Sequence, residues 1–134
     1  MSENQATTGN DALPHALVVD DDVVIVEFLK AQLAKLGYAV TTAGDGMTAL
    51  NLCREHAYAL VLCDVRMPRL SGINFIQNVR RMANASVGRI IIISSMDDSK
   101  VKRDALEAGA EAYLVKPVSS AKLAEVINRT PAAR

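Results

Sequence analysis

Short apolar runs, rich in β-branched residues, alternate along this chain with longer stretches whose apolar residues recur every three or four positions. The runs are Leu17–Val19, Ala39–Thr41, Leu60–Cys63, Ile90–Ile93 and Tyr113–Val115, and they predict strands. Val26, Leu29, Leu33 and Leu36 mark the apolar face of a first helix, which Gly37 closes. Ala49, Leu50 and Cys53 mark a second, and Ile73, Ile76, Val79 and Arg80 a third that opens after Ser71-Gly72. Val101, Ala105 and Ala108 precede Gly109 in a fourth, and Leu123, Val126 and Ile127 mark a fifth. Strands alternating with helices predict an α/β fold, a parallel sheet with helices on both faces. The first, third and fourth strands are apolar throughout, as burial on both faces requires. The second carries Thr41 and Thr42, which suits a sheet edge. The predicted architecture is a flavodoxin-like doubly wound (βα)5 fold of strand order 2-1-3-4-5. Its topological switch point falls between strands one and three, and ligands in such sheets bind beyond the carboxyl ends of the strands.

Composition narrows the classes of function. The chain has 134 residues, half of them apolar, enough for one domain with a real core. Lysine plus arginine equals aspartate plus glutamate at 15 each, so no basic field for nucleic acid is implied. The longest apolar run, around Ile90–Ile93, is far too short to span a bilayer, and no signal-peptide pattern opens the chain. A cytoplasmic protein is expected. Cys53 and Cys63 lie inside apolar segments and read as small hydrophobes in a reducing compartment. His15 and His56 stand far apart in sequence with no cysteine at ligand spacing, which argues against zinc. Residues 1–13 read as a flexible tail, 14–130 as the folded domain, and 131–134 as a tail or the start of a linker.

Chemistry gathers at the predicted strand ends. The first strand ends in Asp20-Asp21-Asp22, the third in Asp64, the fourth in Ser94-Ser95 and the fifth in Lys116-Pro117. Each has a plain structural reading. Asp22 suits a helix cap, Asp64 a turn before Met67-Pro68, Ser94 a bonded strand end and Lys116 a solvated one. Together they place several carboxylates, a hydroxyl and an ammonium in one crevice. Carboxylates so crowded repel one another unless a cation intervenes, and a hard divalent ion, Mg²⁺, meets that need with oxygen ligands.

The stretches Leu17–Asp22, Asp64–Gly72, Ser94, Ala108-Gly109-Ala110 and Lys116-Pro117, in this order and spacing, resemble the receiver domain of two-component response regulators. The resemblance runs from about His15 to Arg129. It implies that Asp64 is the phosphoacceptor, that Asp21 and Asp64 ligate Mg²⁺, and that Asp20 acts mainly through a bound water. Arg66 would give its backbone carbonyl, Lys116 would pair with the phosphoryl group, and Ser94 would hydrogen-bond it. Spacing to Gly109 and Lys116 favours Ser94 over Ser95. A cis Lys116–Pro117 peptide, cheap at an X–Pro bond, would aim the lysine into the crevice. Ser94 and Tyr113 form the implied switch, in which the ring swings inward when the hydroxyl is drawn to the phosphoryl group, reshaping the face of helix four, strand five and helix five. The implied phosphodonor is a histidine kinase or histidine phosphotransfer protein. The implied output is a protein partner or an attached domain, with no direct nucleic-acid binding by this segment, as a monomer or a phosphorylation-dependent dimer. Such a domain modifies itself and turns over no external substrate. Two rivals stand beside this reading. A metal-dependent phosphohydrolase with Asp64 as nucleophile would want an aspartate where Arg66 stands. A flavodoxin-like nucleotide-binding module would have only Gly44-Asp45-Gly46 as a glycine-rich turn.

Overall fold

An aspartate or serine stands immediately before every described helix and turns its side chain onto the first turn. Asp22, Asp45 and Asp98 cap α1 (Val23–Lys35), α2 (Gly46–Glu55) and α4 (Ser99–Ala108). Ser71 and Ser119 cap α3 (Gly72–Arg81) and α5 (Ser120–Asn128). Each accepts from at least one backbone N–H that the helix leaves unpaired, a contact worth about 1 kcal/mol. Gly37 (φ +96°) and Gly109 (φ +126°) let the chain leave α1 and α4 in a left-handed conformation that residues with a Cβ rarely adopt. This computed structural model describes residues 13–129 except Asn84. Of the expected terminal tails, all but Leu13 lies outside the described residues.

The strands are β1 (His15–Val19), β2 (Ala39–Ala43), β3 (Tyr58–Cys63), β4 (Val87–Ser94) and β5 (Ala112–Val115). All pair in parallel, in the order β2-β1-β3-β4-β5. The expected 2-1-3-4-5 order therefore holds, with Thr41 and Thr42 on an edge strand. Side-chain alternation sends Leu17, Val61, Ile90 and Ile92 to one face, under α2, α3 and α4. Ala16, Val18, Leu60, Leu62, Ile91 and Ile93 face α1 and α5. Burial on both faces explains why β3 and β4 read as unbroken apolar runs. Each such side chain contributes roughly 1.5–3 kcal/mol.

Register fixes the site. Val19 pairs with Cys63, Cys63 with Ile92, and Ser94 with Val115, so the residues that follow end level with one another. Asp64 N–H donates to the Val19 carbonyl at 3.0 Å, and Lys116 N–H to the Ser94 carbonyl at 2.8 Å.

The opposite edge of the sheet is tied by two arginines. Arg80 of α3 donates to the carbonyls of Val87, Gly88 and Gly109. Arg89, near the start of β4, forks onto the Glu111 carboxylate at 2.7 and 2.9 Å. It also donates to the Ile127 and Val126 carbonyls in the last turn of α5, at 2.6 and 3.1 Å.

A candidate phosphoacceptor crevice

Among the described residues, the buried polar or charged side chains are Asp20, Asp64 and Ser94, and each stands at the carboxyl end of a strand. Burying such groups costs free energy unless each finds a partner. Asp20 Oδ1 accepts from the Asp22 N–H at 2.9 Å, and its Oδ2 from Lys116 Nζ at 2.9 Å. Asp64 Oδ1 accepts from the Val65 N–H at 2.7 Å, and its Oδ2 lies 3.4 Å from Lys116 Nζ. One ammonium therefore bridges two carboxylates. The Lys116–Pro117 peptide is cis.

Asp21 is exposed and opens onto a cleft with Arg66, Met67, Pro68 and Ser71. Carboxylate oxygens of Asp20, Asp21 and Asp64 lie within 4.8 Å of one another. Three carboxylates against one ammonium leave two uncompensated negative charges. Burial, outweighing the hydrogen bonds from Asp22 and Lys116, holds the Asp20 carboxyl above its ordinary range, and the Asp64 charge adds to this. Burial pulls the Lys116 ammonium down, but its hydrogen bond to Asp20 and the charges of both aspartates prevail and raise it. The Cys63 thiol is pushed well up by burial and by the Asp64 and Asp20 charges, and it donates to the Asp64 carbonyl at 3.3 Å. It remains a neutral thiol. An all-oxygen donor set with surplus negative charge fits a hard divalent cation such as Mg²⁺.

The loop from β3 to α3 is pressed down beside Asp64. A Cβ on Gly72 would run into the Asp64 carbonyl oxygen and come within 3.0 Å of Val65 Cα. The Gly72 N–H donates to the Val65 carbonyl at 2.8 Å. On its other side the loop meets α2, where a Cβ on Gly46 would lie 2.5 Å from the Leu70 carbonyl oxygen. Arg69 takes a left-handed φ of 73° and reaches Asp45 Oδ1 at 3.8 Å.

Ser94 is buried while Ser95 is exposed. The Ser94 Oγ accepts from the Met96 N–H at 3.1 Å, and the Tyr113 hydroxyl donates to the Met96 carbonyl at 2.7 Å. The Met96 residue thus joins two side chains that do not themselves hydrogen-bond. Sequence reasoning missed it because it acts through its backbone. Tyr113 is half-buried and packs against the core. His15 and His56, distant in sequence, line one cleft with Thr41 and Tyr58 at the far end of the sheet. The acidic trio is the one group of three or more metal-ligating side chains found among the described residues. No described helix is long and apolar enough to cross a membrane.

Residues 16–128 match the family model of the response regulator receiver domain. The chain belongs to that family. It is similar to the probable transcriptional regulator ycf27 of Cyanidium caldarium, with 37% identity over 81% of this chain and 43% of that one. Among solved structures it resembles the chemotaxis response regulator CheY4 of Vibrio cholerae. That match has a TM-score of 0.81 and 28% identity over 88% of this chain and 98% of that one. It also resembles the receiver domain of the sensor histidine kinase PA1611 of Pseudomonas aeruginosa, whose active site cleft holds a coordinated magnesium ion. There the TM-score is 0.79, with 30% identity over 88% of this chain and 97% of that one. The chain spans about half the length, or less, of the curated relatives it matches.

Membership settles the class of function. The domain is a phosphoacceptor module of two-component signalling, and receiver domains of this kind partner with kinases and output domains. The rival readings are not supported. Arg66 stands where a phosphohydrolase would want its second aspartate, and Asp45 of the glycine-rich turn serves as the cap of α2.

Proposed function

We propose that Asp64 accepts a phosphoryl group from a histidine kinase or histidine phosphotransfer protein. Mg²⁺ would be held by Asp20, Asp21, Asp64 and the backbone carbonyl of Arg66, with Asp20 acting mainly through water. When bound, the ion supplies Lewis-acid charge neutralisation where anions meet. The observation that carries the reading is the convergence of the buried Asp20, Asp64 and Ser94 with Lys116 at one sheet edge. The Val65 N–H fixes the acceptor carboxylate through Oδ1, which leaves Oδ2 beside Lys116. A carboxylate lone pair forms the new O–P bond as the bond from phosphorus to the donor imidazole nitrogen breaks, and that nitrogen takes up a proton. Lys116 neutralises a phosphoryl oxygen and Ser94 donates its hydroxyl proton to another. Asp20 keeps Lys116 aimed. The product, an acyl phosphate, is labile to water, so the domain modifies itself and turns over no external substrate.

The mark is read through Ser94, Met96 and Tyr113. A phosphoryl group that draws in the Ser94 hydroxyl pulls on the Met96 peptide, and Tyr113 is held by the same residue. The α4–β5–α5 face then changes shape for a protein partner or an attached output domain, in a cytoplasmic setting, from a folded unit of residues 14–130. A full switch from 1:99 to 99:1 needs about 5.5 kcal/mol of bias. Incubation with acetyl phosphate and Mg²⁺ tests the chemistry. One hydroxylamine-sensitive phosphate should appear, and Asp64→Asn or chelation should abolish it. Phosphate on a serine, or unchanged uptake by the Asn variant, overturns the proposal.

A further inference from the structure

Arg89 stands in a strand whose next four residues, Ile90 to Ile93, are buried isoleucines. A guanidinium there requires partners, and it has them on two different elements. Its fork grips Glu111, the residue that leads into β5, and its remaining donors reach carbonyls in the last turn of α5. The Arg89 side chain is only 17% exposed and the Glu111 side chain 22%. The last carbonyls of a helix have no partner within it and form the negative end of its dipole, so a half-buried cation at that place holds them firmly. Lysine, with three donors on one nitrogen, could not fork onto both carboxylate oxygens and also reach both carbonyls.

The same two strands are tied at both ends. At the crevice end, the Tyr113 hydroxyl holds Met96 just beyond β4, and Lys116 N–H holds the Ser94 carbonyl. At the other end, Arg89 holds Glu111. Arg89 lies five residues before Ser94, about 16 Å along the strand, too far to feel the phosphoryl group directly. Glu111 lies two residues before Tyr113 on the same short segment. Any shift of β5 against β4 at the crevice end must be absorbed or passed on at the clamp, and the clamp is bonded to α5. We propose that Arg89 is a positioning residue that passes the state of the Ser94–Tyr113 end to the last turn of α5. This rests on the phosphoacceptor reading above, and it assigns a route from β5 to the carboxyl end of the domain.

Backbone amide spectra of the full 134-residue chain, with and without beryllofluoride and Mg²⁺, test it. In the wild type, signals should shift at Ser95, Met96 and Lys116 and also at 126–129. In Glu111→Gln and in Arg89→Met, the crevice shifts should persist while those at 126–129 fall by at least half. Arg89→Lys should not restore them. A purely structural role would lower the melting temperature and leave the response at 126–129 intact, which refutes the proposal. So would a wild type whose crevice shifts while 126–129 stays still. Glu111→Gln keeps the shape of the side chain and carries the test if Arg89→Met fails to fold. Absence of crevice shifts in the wild type would instead bring down the phosphoacceptor reading, and this inference with it.

Discussion

Asp20→Asn removes one charge from the crevice and keeps an acceptor for the Asp22 N–H, which the carboxylate holds at 2.9 Å. At an effective dielectric near 20, the contact of Asp20 with Lys116 at 2.9 Å is worth roughly 6 kcal/mol of attraction. Repulsion from Asp64, with oxygens no more than 4.8 Å apart, returns roughly 3–4 kcal/mol of that. Desolvation costs several kcal/mol more for a side chain 3% exposed. The sum turns against the charge, in the direction of the raised Asp20 carboxyl. Neutralisation should therefore raise the melting temperature of the divalent-free protein. The pH dependence has a definite sign. A carboxyl raised by folding stabilises below its unfolded value near 3.8, and that contribution is lost as pH rises through the folded value. The gap between variant and wild type should open as pH climbs out of the carboxylate range and close in acid. Mg²⁺ at ten times its dissociation constant should lift the wild type by about 1.4 kcal/mol and the variant by less. Calorimetry at several pH values, with and without Mg²⁺, reads all of this. An Asn variant that melts several degrees below wild type without divalent ions from pH 5 to 8 would refute this balance of charges.

Gly72→Ala should cost about 2–4 kcal/mol in urea unfolding, because the new Cβ meets the Asp64 backbone on one side and Val65 on the other. A loss below 0.5 kcal/mol would mean the loop is not pinned there. Burial pushes the Cys53 thiol up to about 11 from 9.0, so its contribution to stability is whole below pH 9 and lost as pH rises through 11. Alkaline titration of stability should show a fall of roughly 2–3 kcal/mol from this group that Cys53→Ala lacks, and equal slopes would contradict it. Asp22→Ala should cost about 1 kcal/mol of stability through the lost cap of α1 and leave acetyl phosphate labelling of Asp64 intact. Loss of labelling would place Asp22 in the chemistry.

The fold was legible because both faces of the sheet are covered. Unbroken apolar runs at β3 and β4 and the polar Thr41-Thr42 of β2 report where each strand sits. The crevice was legible because parallel strands deliver their carboxyl ends to one edge, where Ser94 ends its strand and Asp20, Asp64 and Lys116 each follow theirs. What escaped is of two kinds. Met96 works through its N–H and carbonyl, which every residue but proline has, so its identity carries almost no signal. Arg89 and Glu111 are 22 residues apart and meet only after β5 docks. An arginine opening an apolar run was the available sign, since such a residue is rarely buried without a partner. His15 and His56 were separated by sequence and brought to one cleft by the pairing of β1 with β3.

The five helix caps divide the rim of the crevice by charge. In a parallel sheet with crossover helices, every helix begins at the edge where the strands end, so five partly positive helix starts surround the Asp64 carboxylate. Each carries about half an elementary charge. Asp22, Asp45 and Asp98 set a full negative charge against the starts of α1, α2 and α4. Ser71 and Ser119 cap α3 and α5 without one. The rim is thus electrically lopsided. A dianion arriving from solution meets a full negative charge at the starts of α1 and α4, one that Arg69 offsets at α2, and attraction over the two starts that follow β3 and β5, the strands that lead into Asp64 and Lys116.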